Sequence, residues 1–404
     1  MFMGIPPVLF YFATPMKILS IPVLALISIA LCSCSEEQAN SVVSELIEKK
    51  RAEVAPDKRV ALWDLKFEND SLKGETDQLE SLTAFIEELK DKHILFTDAV
   101  SRLPEASLGE KTKALVTISV ANIRSNPKHS AELATQALMG TPLNVLKQED
   151  DWYLVQTPDG YLSWVDQAGI HLVTSDEMET WYRKPKVVFT ELTGHVWNSP
   201  EEQEMVSDLV AGDILTIISE TKDNMEVSLP DGRTGWVAKT NVQEWSNWIA
   251  SRSVSEENLI STAKQMMGVP YLWGGTSIKG VDCSGFTKTI YYLNGQIIPR
   301  DASQQINEGE LVDADKNWDK LQVGDLLFFG EKATAEKKEK VVHVGMWIGN
   351  GEFIHSRGRV RISSFDPGNP NYDEYELNRY LRTKRIANVP SERILSVSEL
   401  LTTK

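Results

Sequence analysis

Two segments, "TPDGYLSWV" (157–165) and "LPDGRTGWV" (229–237), are degenerate copies of each other, each embedded in alternating apolar residues. Upstream, "SNP" (125–127) matches "NSP" (198–200), and Gly140 matches Gly212. Apolar alternation around repeated Pro-Asp-Gly turns commits this part of the chain to two small, similar antiparallel β units. At 404 residues the chain exceeds one ordinary core, so other domains must flank the pair. Only Cys32, Cys34 and Cys283 occur, too few for a disulfide framework, so apolar cores must hold these domains together.

Charge narrows the partners. With 58 acidic and 42 basic side chains the formal charge is −16, which argues against nucleic acid, because nothing would neutralise its phosphates. No HExxH, CxxC pair or P-loop is present, so neither a metal nor another cofactor is expected.

The N-terminus reads as an export signal. "MKILSIPVLALISIALCSC" begins at Met16, with Lys17 followed by an apolar run from Ile18 to Leu31. That run suits a signal peptide and is short for a membrane-spanning helix. The apolar residues from Pro6 to Phe12 precede the basic residue, which favours Met16 over Met1 as the start. "LCSC" (31–34) resembles the bacterial lipobox, with Cys34 as the residue to be lipidated; Cys32 fits less well because bulky Leu31 stands immediately before it. The resemblance implies an exported lipoprotein, periplasmic or at the cell surface, whose signal region spans residues 1–34 and which is held on a membrane by acylated Cys34. Cys283 is then its one free thiol.

The expected organisation follows the chain. Residues 35–57 form a polar tether with at most a short helix, and 58–111 a small α/β segment with a strand at 59–67 and a helix at 76–90. The repeat, over 112–174 and 185–245, resembles tandem bacterial SH3-like barrels. A mixed domain spans 250–388 and a tail 389–404. The fold class is multidomain α+β.

Chemistry concentrates in the mixed domain. "VDCSGFTKTIYYLNG" sets Asp282 where an N-cap belongs, then Phe286, Ile290 and Leu293 at helical spacing, then Asn294-Gly295 as a stop. Cys283 therefore occupies the first turn of a helix, where backbone N–H groups lower a thiol's pKa. Gly274 and Gly275 let the preceding loop approach closely. Two of the six histidines stand in "HVGMWIGNGEFIH", His343 and His355, on a hairpin around Gly349-Asn350-Gly351. A three-residue loop pairs residue 345 with 355 and puts both imidazoles on one face; a two-residue loop separates them. The former is expected. His343 then takes the thiol proton, giving a thiolate–imidazolium pair, and His355 fixes its tautomer.

"GVPYLWGG", "DCSG", "PRDASQQ", "VGDLLFFG" and "HVGMWIGNGEFIHS" are similar to the motifs of the NlpC-type cysteine peptidases, a papain-like family acting on bacterial cell-wall peptides. With two SH3-like barrels ahead of that domain, the chain resembles the γ-D-glutamyl-L-diamino acid endopeptidases of murein recycling. The resemblance implies Cys283, His343 and His355 as the triad and murein tri- and tetrapeptides with a free N-terminal L-Ala as substrates. It places Tyr271 near the nucleophile and the forming oxyanion, and Trp273, Asp282, Ser284 and Asp301 along the substrate cleft. Glu132 in "HSAELATQ" and Tyr161 in "DGYLSWV" match motifs that contact the substrate's terminus, where a buried carboxylate facing an ammonium discriminates strongly. The charged stretch "EKATAEKKEK" (331–340) reads as a solvated loop. Hydrolysis of intact cross-linked wall, or wall binding without catalysis, are the alternatives.

Overall fold

A computed structural model describes residues 40–402. The export signal, the choice between Met1 and Met16, and Cys34 lie outside the described residues. Among the described residues no helix is long and apolar enough to cross a membrane.

The stretch expected as a tether is mostly helix. Residues 40–54 are helical. Val43 and Ile47 on that helix pack with Phe67, Leu72, Leu82, Phe85 and Leu89 in one apolar core. Spacing explains the correction, because Val43 and Ile47 sit one turn apart on a single face. Over them lies a three-stranded sheet, Trp63–Glu68, Ser71–Thr76 and Thr97–Arg102. The last two strands run parallel, joined by the helix Leu79–Asp91. The expected strand at 59–67 begins only at Trp63, because residues 59–62 serve the neighbouring barrel. Leu162 donates its amide to the Arg59 carbonyl at 2.7 Å.

Each sequence repeat becomes a seven-stranded, SH3-like antiparallel unit. In the first, Trp152–Gln156 and Leu162–Asp166 flank the Pro-Asp-Gly turn; in the second, Asn224–Ser228 and Thr234–Ala238 do so. The turns share one geometry. Gly160 at φ +82° and Gly232 at φ +90° each donate back to residue 157 or 229. Each unit continues through one 3-10 turn into a short closing strand, Ile170–Val173 or Val242–Glu244. The first turn is buried against the C-terminal domain, where Asp159 pairs with Lys288, while in the second Asp231 pairs with its neighbour Arg233 at the surface.

The C-terminal domain is a six-stranded antiparallel sheet in the order Glu310–Asp313, Tyr380–Arg385, Leu326–Glu331, Lys340–Gly349, Glu352–Arg357, Arg359–Ser364. Alternation assigns its faces. Leu326, Phe328, Val344 and Met346 pack under the helices Glu256–Gln265 and Cys283–Leu293. Leu327, Phe329, Trp347 and Phe353 face a second cluster around Phe365 and Tyr380. Residues 332–339 are exposed, as the charge run requires.

The expected C-terminal tail is not free. Leu395–Ser396 pairs with Gln296–Ile297, and Val397, Leu400 and Leu401 are buried with Trp181, Trp248 and Ile297 where the barrels meet the sheet domain. Three apolar residues within five positions have more to gain there than in water.

Candidate active site

The helix Cys283–Leu293 starts as its sequence dictates. Asp282 caps it, Oδ1 accepting the Gly285 amide at 2.7 Å, and Oδ2 accepts the Gly274 amide at 2.9 Å. Arg300, 1% exposed, donates from Nη2 to Asp282 Oδ2 at 2.6 Å. Gly274 has no room for a side chain, since a Cβ would stand 2.1 Å from the Leu133 carbonyl oxygen of the first barrel, at φ +79°. A buried ion pair and a bare backbone therefore fix the helix tip against the barrel.

Cys283 Sγ sits at that tip, its residue 8% exposed. The expectation of a lowered pKa is corrected. Burial and the Asp282 charge push the thiol up to about 12, against the opposing Ser284 and Val344 N–H groups. Desolvation disfavours the thiolate more than one helix turn favours it. The Val344 amide facing the sulfur belongs to the residue after His343. Tyr271 also adjoins the sulfur: burial, then the nearby Cys283 and Asp282 charges, push its phenol up.

The two imidazoles share a face, with Nε2 of His343 2.7 Å from Nδ1 of His355. The register that aligns them pairs Met346 with Ile354 and Trp347 with Phe353, in phase with the expected 345–355 pairing. It arises differently. The turn is a two-residue Asn350-Gly351 loop, both at positive φ, and a bulge at Ile348 restores the phase. A second bulge, at Val342, turns the strand directly before His343. Beyond His355, Nε2 lies 2.9 Å from Ser363 Oγ, and Ser363 donates to Asp373 Oδ2 at 3.1 Å. A serine whose proton goes to Asp373 can only accept from His355 Nε2–H. His355 Nδ1 then accepts from His343 Nε2–H, leaving a lone pair on His343 Nδ1. Arg361 Nε, 3.4 Å from His355 Nε2, makes the longer and weaker contact. Burial, followed by His355, Arg379 and Arg357, holds His343 well below its ordinary pKa, and burial takes His355 down to about 3. At rest the thiol and the imidazole are both neutral, not the expected ion pair.

A cleft of about 490 Å³ opens at Cys283, bounded by Trp273, Ser284 and Asp301 of the sheet domain and by Glu132 and Tyr161 of the first barrel. Tyr161 is buried and donates from its hydroxyl to Asp301 Oδ2 at 3.2 Å. Trp273 Nε1 donates to Glu132 Oε1 at 2.5 Å. Glu132 is exposed at the rim, a departure from the expected buried carboxylate, because the side chain it meets across the domain boundary, the Trp273 indole, is itself 62% exposed.

A model of the NlpC/P60 family matches residues 268–379, and one for the bacterial dipeptidyl-peptidase Sh3 domain matches 123–170. The gamma-D-glutamyl-L-lysine dipeptidyl-peptidase of Bacillus cereus is 35% identical over 261 residues, 62% of this chain and 76% of the relative. Dipeptidyl-peptidase 6 of Lysinibacillus sphaericus is 31% identical, over 64% of this chain and 94% of its own. The chain belongs to the NlpC/P60 family. A crystal structure of an NlpC/P60 family protein from Bacillus cereus superposes with a TM-score of 0.57 at 28% identity, covering 68% of this chain and 99% of that one. As a member of NlpC/P60 the protein is a cysteine peptidase.

Within this NlpC/P60 chain Glu132, Tyr161, Trp273, Asp282, Cys283, Ser284 and Asp301 line one cleft, whereas Tyr271 and His343 line the adjoining cavity and His355 lies behind His343. Asp282 lines the cleft, yet both its oxygens are engaged by the helix tip and Arg300, so its part is to hold Cys283 in place. Sequence reasoning missed Ser363 and Asp373 behind His355. It also missed Arg59, which the N-terminal unit delivers into the cleft. Arg59 Nη1 donates to Asp301 Oδ2 at 2.8 Å and to Ser303 Oγ at 2.9 Å, while Nε and Nη2 grip Asp57. No local pattern marks it, because every partner of its guanidinium but Asp57 lies in the other half of the chain.

Proposed function

We propose that this peptidase hydrolyses the bond between γ-D-Glu and an L-diamino acid in murein peptides that carry a free N-terminal L-Ala, the chemistry of wall-peptide recycling. The observation that carries the reading is the shared cleft, in which Cys283 faces Glu132 and Tyr161 across the domain boundary. An ammonium terminus lying between Glu132 and the Tyr161–Asp301 pair gains charge-assisted hydrogen bonds to two carboxylates, and an acylated terminus forgoes both the charge and all but one of the donors. The names of the relatives point the same way.

In this mechanism Cys283, His343 and His355 act as a triad. His343 Nδ1 takes the thiol proton as Sγ attacks the γ-carbonyl carbon, so deprotonation and attack are coupled and no resting thiolate is needed. The oxyanion forms beside Tyr271. Collapse breaks the C–N bond, His343 returns its proton to the leaving amine, and a thioester remains. Water, deprotonated by His343, then releases the dipeptide and regenerates the thiol.

Purified protein is offered L-Ala-γ-D-Glu-diamino acid tripeptides with and without N-acetylation. Cleavage of the free peptide alone is expected, with acetylation lowering kcat/KM by about a hundredfold or more. Equal cleavage of both would favour a hydrolase of intact wall, and cleavage of neither a wall-binding role. Cys283→Ala is expected to abolish turnover with an unchanged circular dichroism spectrum.

A further inference from the structure

The two barrels carry the same outer stripe, and it is covered on one and open on the other. In the first barrel Leu154, Trp164, Arg124 and Leu133 lie side by side on four adjacent strands, with the bulge residue Leu146 next to them. An offset of 72 residues carries Leu146, Leu154, Trp164 and Leu133 onto Ile218, Glu226, Trp236 and Met205. Trp197 takes the place of Arg124, paired with Trp236 on one side and Met205 on the other. The sequence neighbours Val155 and Val165 fill the first barrel's interior, and Val227 and Val237 the second's, so both stripes face outward.

What lies over them differs. Leu62 and Leu103 of the N-terminal unit pack with Leu146, Leu154 and Trp164, and Leu146 is left 5% exposed. Lys147 lies 5.4 Å above the Trp164 ring, and Glu75 of the covering unit pairs with it at 2.7 Å. In the second barrel Ile218 is 48% and Met205 57% exposed, and the two indoles between them remain partly exposed. Five strands spaced by about 4.8 Å give this open stripe a width of about 19 Å.

The charge is inverted as well. Ser219 stands where the first barrel has Lys147, and its hydroxyl donates to Glu226 Oε2 at 2.6 Å. The exposed Glu201, Glu202 and Glu204 lead into Met205 at the other end. Arg233, the nearby cation, is already committed to Asp231 and to the Val206 and Thr117 carbonyls. Indole faces flanked by carboxylates attract a cation both through the ring quadrupole and through charge. Ile218 and Met205 gain by meeting apolar side chains. A neutral glycan would leave the carboxylates without a counter-charge.

Independently of the substrate assignment, we propose that this face of the second barrel docks a protein partner through an extended segment that alternates apolar side chains with lysine or arginine. The partner covers this stripe as Leu62 and Leu103 cover its twin. It also brings to Trp236 the cation that the first barrel supplies from its own Lys147.

The full chain is titrated in a calorimeter with a Leu-Lys alternating peptide, its Leu-Glu counterpart, and soluble murein glycan strands. The Leu-Lys peptide is expected to bind, and Trp236→Ala and Met205→Lys each to weaken it by at least about tenfold. Met205 is exposed, so a loss there is not unfolding, and cleavage of the free tripeptide should be unchanged in both variants. Equal binding of the Leu-Glu peptide, or binding indifferent to both substitutions, overturns the proposal, since the attraction would then be unspecific. Binding of glycan alone, lost in Trp236→Ala, overturns it in favour of a sugar surface. Self-association abolished by the same change overturns it in favour of a second copy of this chain. Silence from every probe also overturns it, and none of these outcomes touches the peptidase reading.

Discussion

His343 is uncharged at rest because burial, His355 and two arginines all oppose an imidazolium. A general base must be neutral to accept the thiol proton, so its activity survives acidification that would charge an ordinary imidazole at about pH 6.5. For the free tripeptide, kcat/KM is expected to stay level through pH 6.5 and fall only at lower pH. A pH–rate profile with its acid limb centred near the ordinary imidazole value would mean the ring is solvated and the assigned tautomer chain is wrong. Much at this scale was legible beforehand. Cys283 announces itself by an N-cap before it and helical spacing after it, and the two histidines by their shared hairpin. The ionisation state was not legible, since it depends on how much water the fold removes. Nor was Ser363, one serine among many until the fold sets it between His355 and Asp373.

At the scale of elements, the hairpin shows how a sound expectation can be met by another route. Alternation in "HVGMWIG" fixed which residues share a face, but a bulge at Ile348, rather than a longer loop, keeps them there. Bulges have weak local signatures because any residue can occupy them. The connection at 57–62 carries the larger surprise. It brings Arg59 to Asp301, which also receives the Tyr161 hydroxyl, so a loop of the N-terminal unit braces the wall that would face a substrate terminus. Arg59→Ala is expected to raise KM for the free tripeptide about tenfold with kcat little changed, a loss of about 1.4 kcal/mol in binding. Steady-state kinetics decide it. A fall in kcat at constant KM would move Arg59 from the binding wall to the chemistry.

Across the whole molecule, the C-terminal segment closes the junction between barrels and peptidase domain. Leu400 is 6% exposed there, so Leu400→Ala should destabilise the protein by about 2–3 kcal/mol, read as a lower urea midpoint at unchanged slope. A change below about 0.5 kcal/mol would show that the segment merely rests on the surface. The junction was illegible in the sequence because its apolar residues are few and come from widely separated stretches, whereas the barrels disclosed themselves by repetition. That repetition conceals an asymmetry. The turn holding Asp159 is wedged against Lys288 of the nucleophile helix, while in its counterpart Asp231 is exposed and pairs with Arg233, which reaches on to the Thr117 carbonyl of the first barrel. The twin modules have therefore ceased to be exchangeable parts. A chain spliced with their order reversed would bring Asp231 to Lys288 with Arg233 already bonded to it, so the buried lysine would have to share its counter-ion with a competing guanidinium.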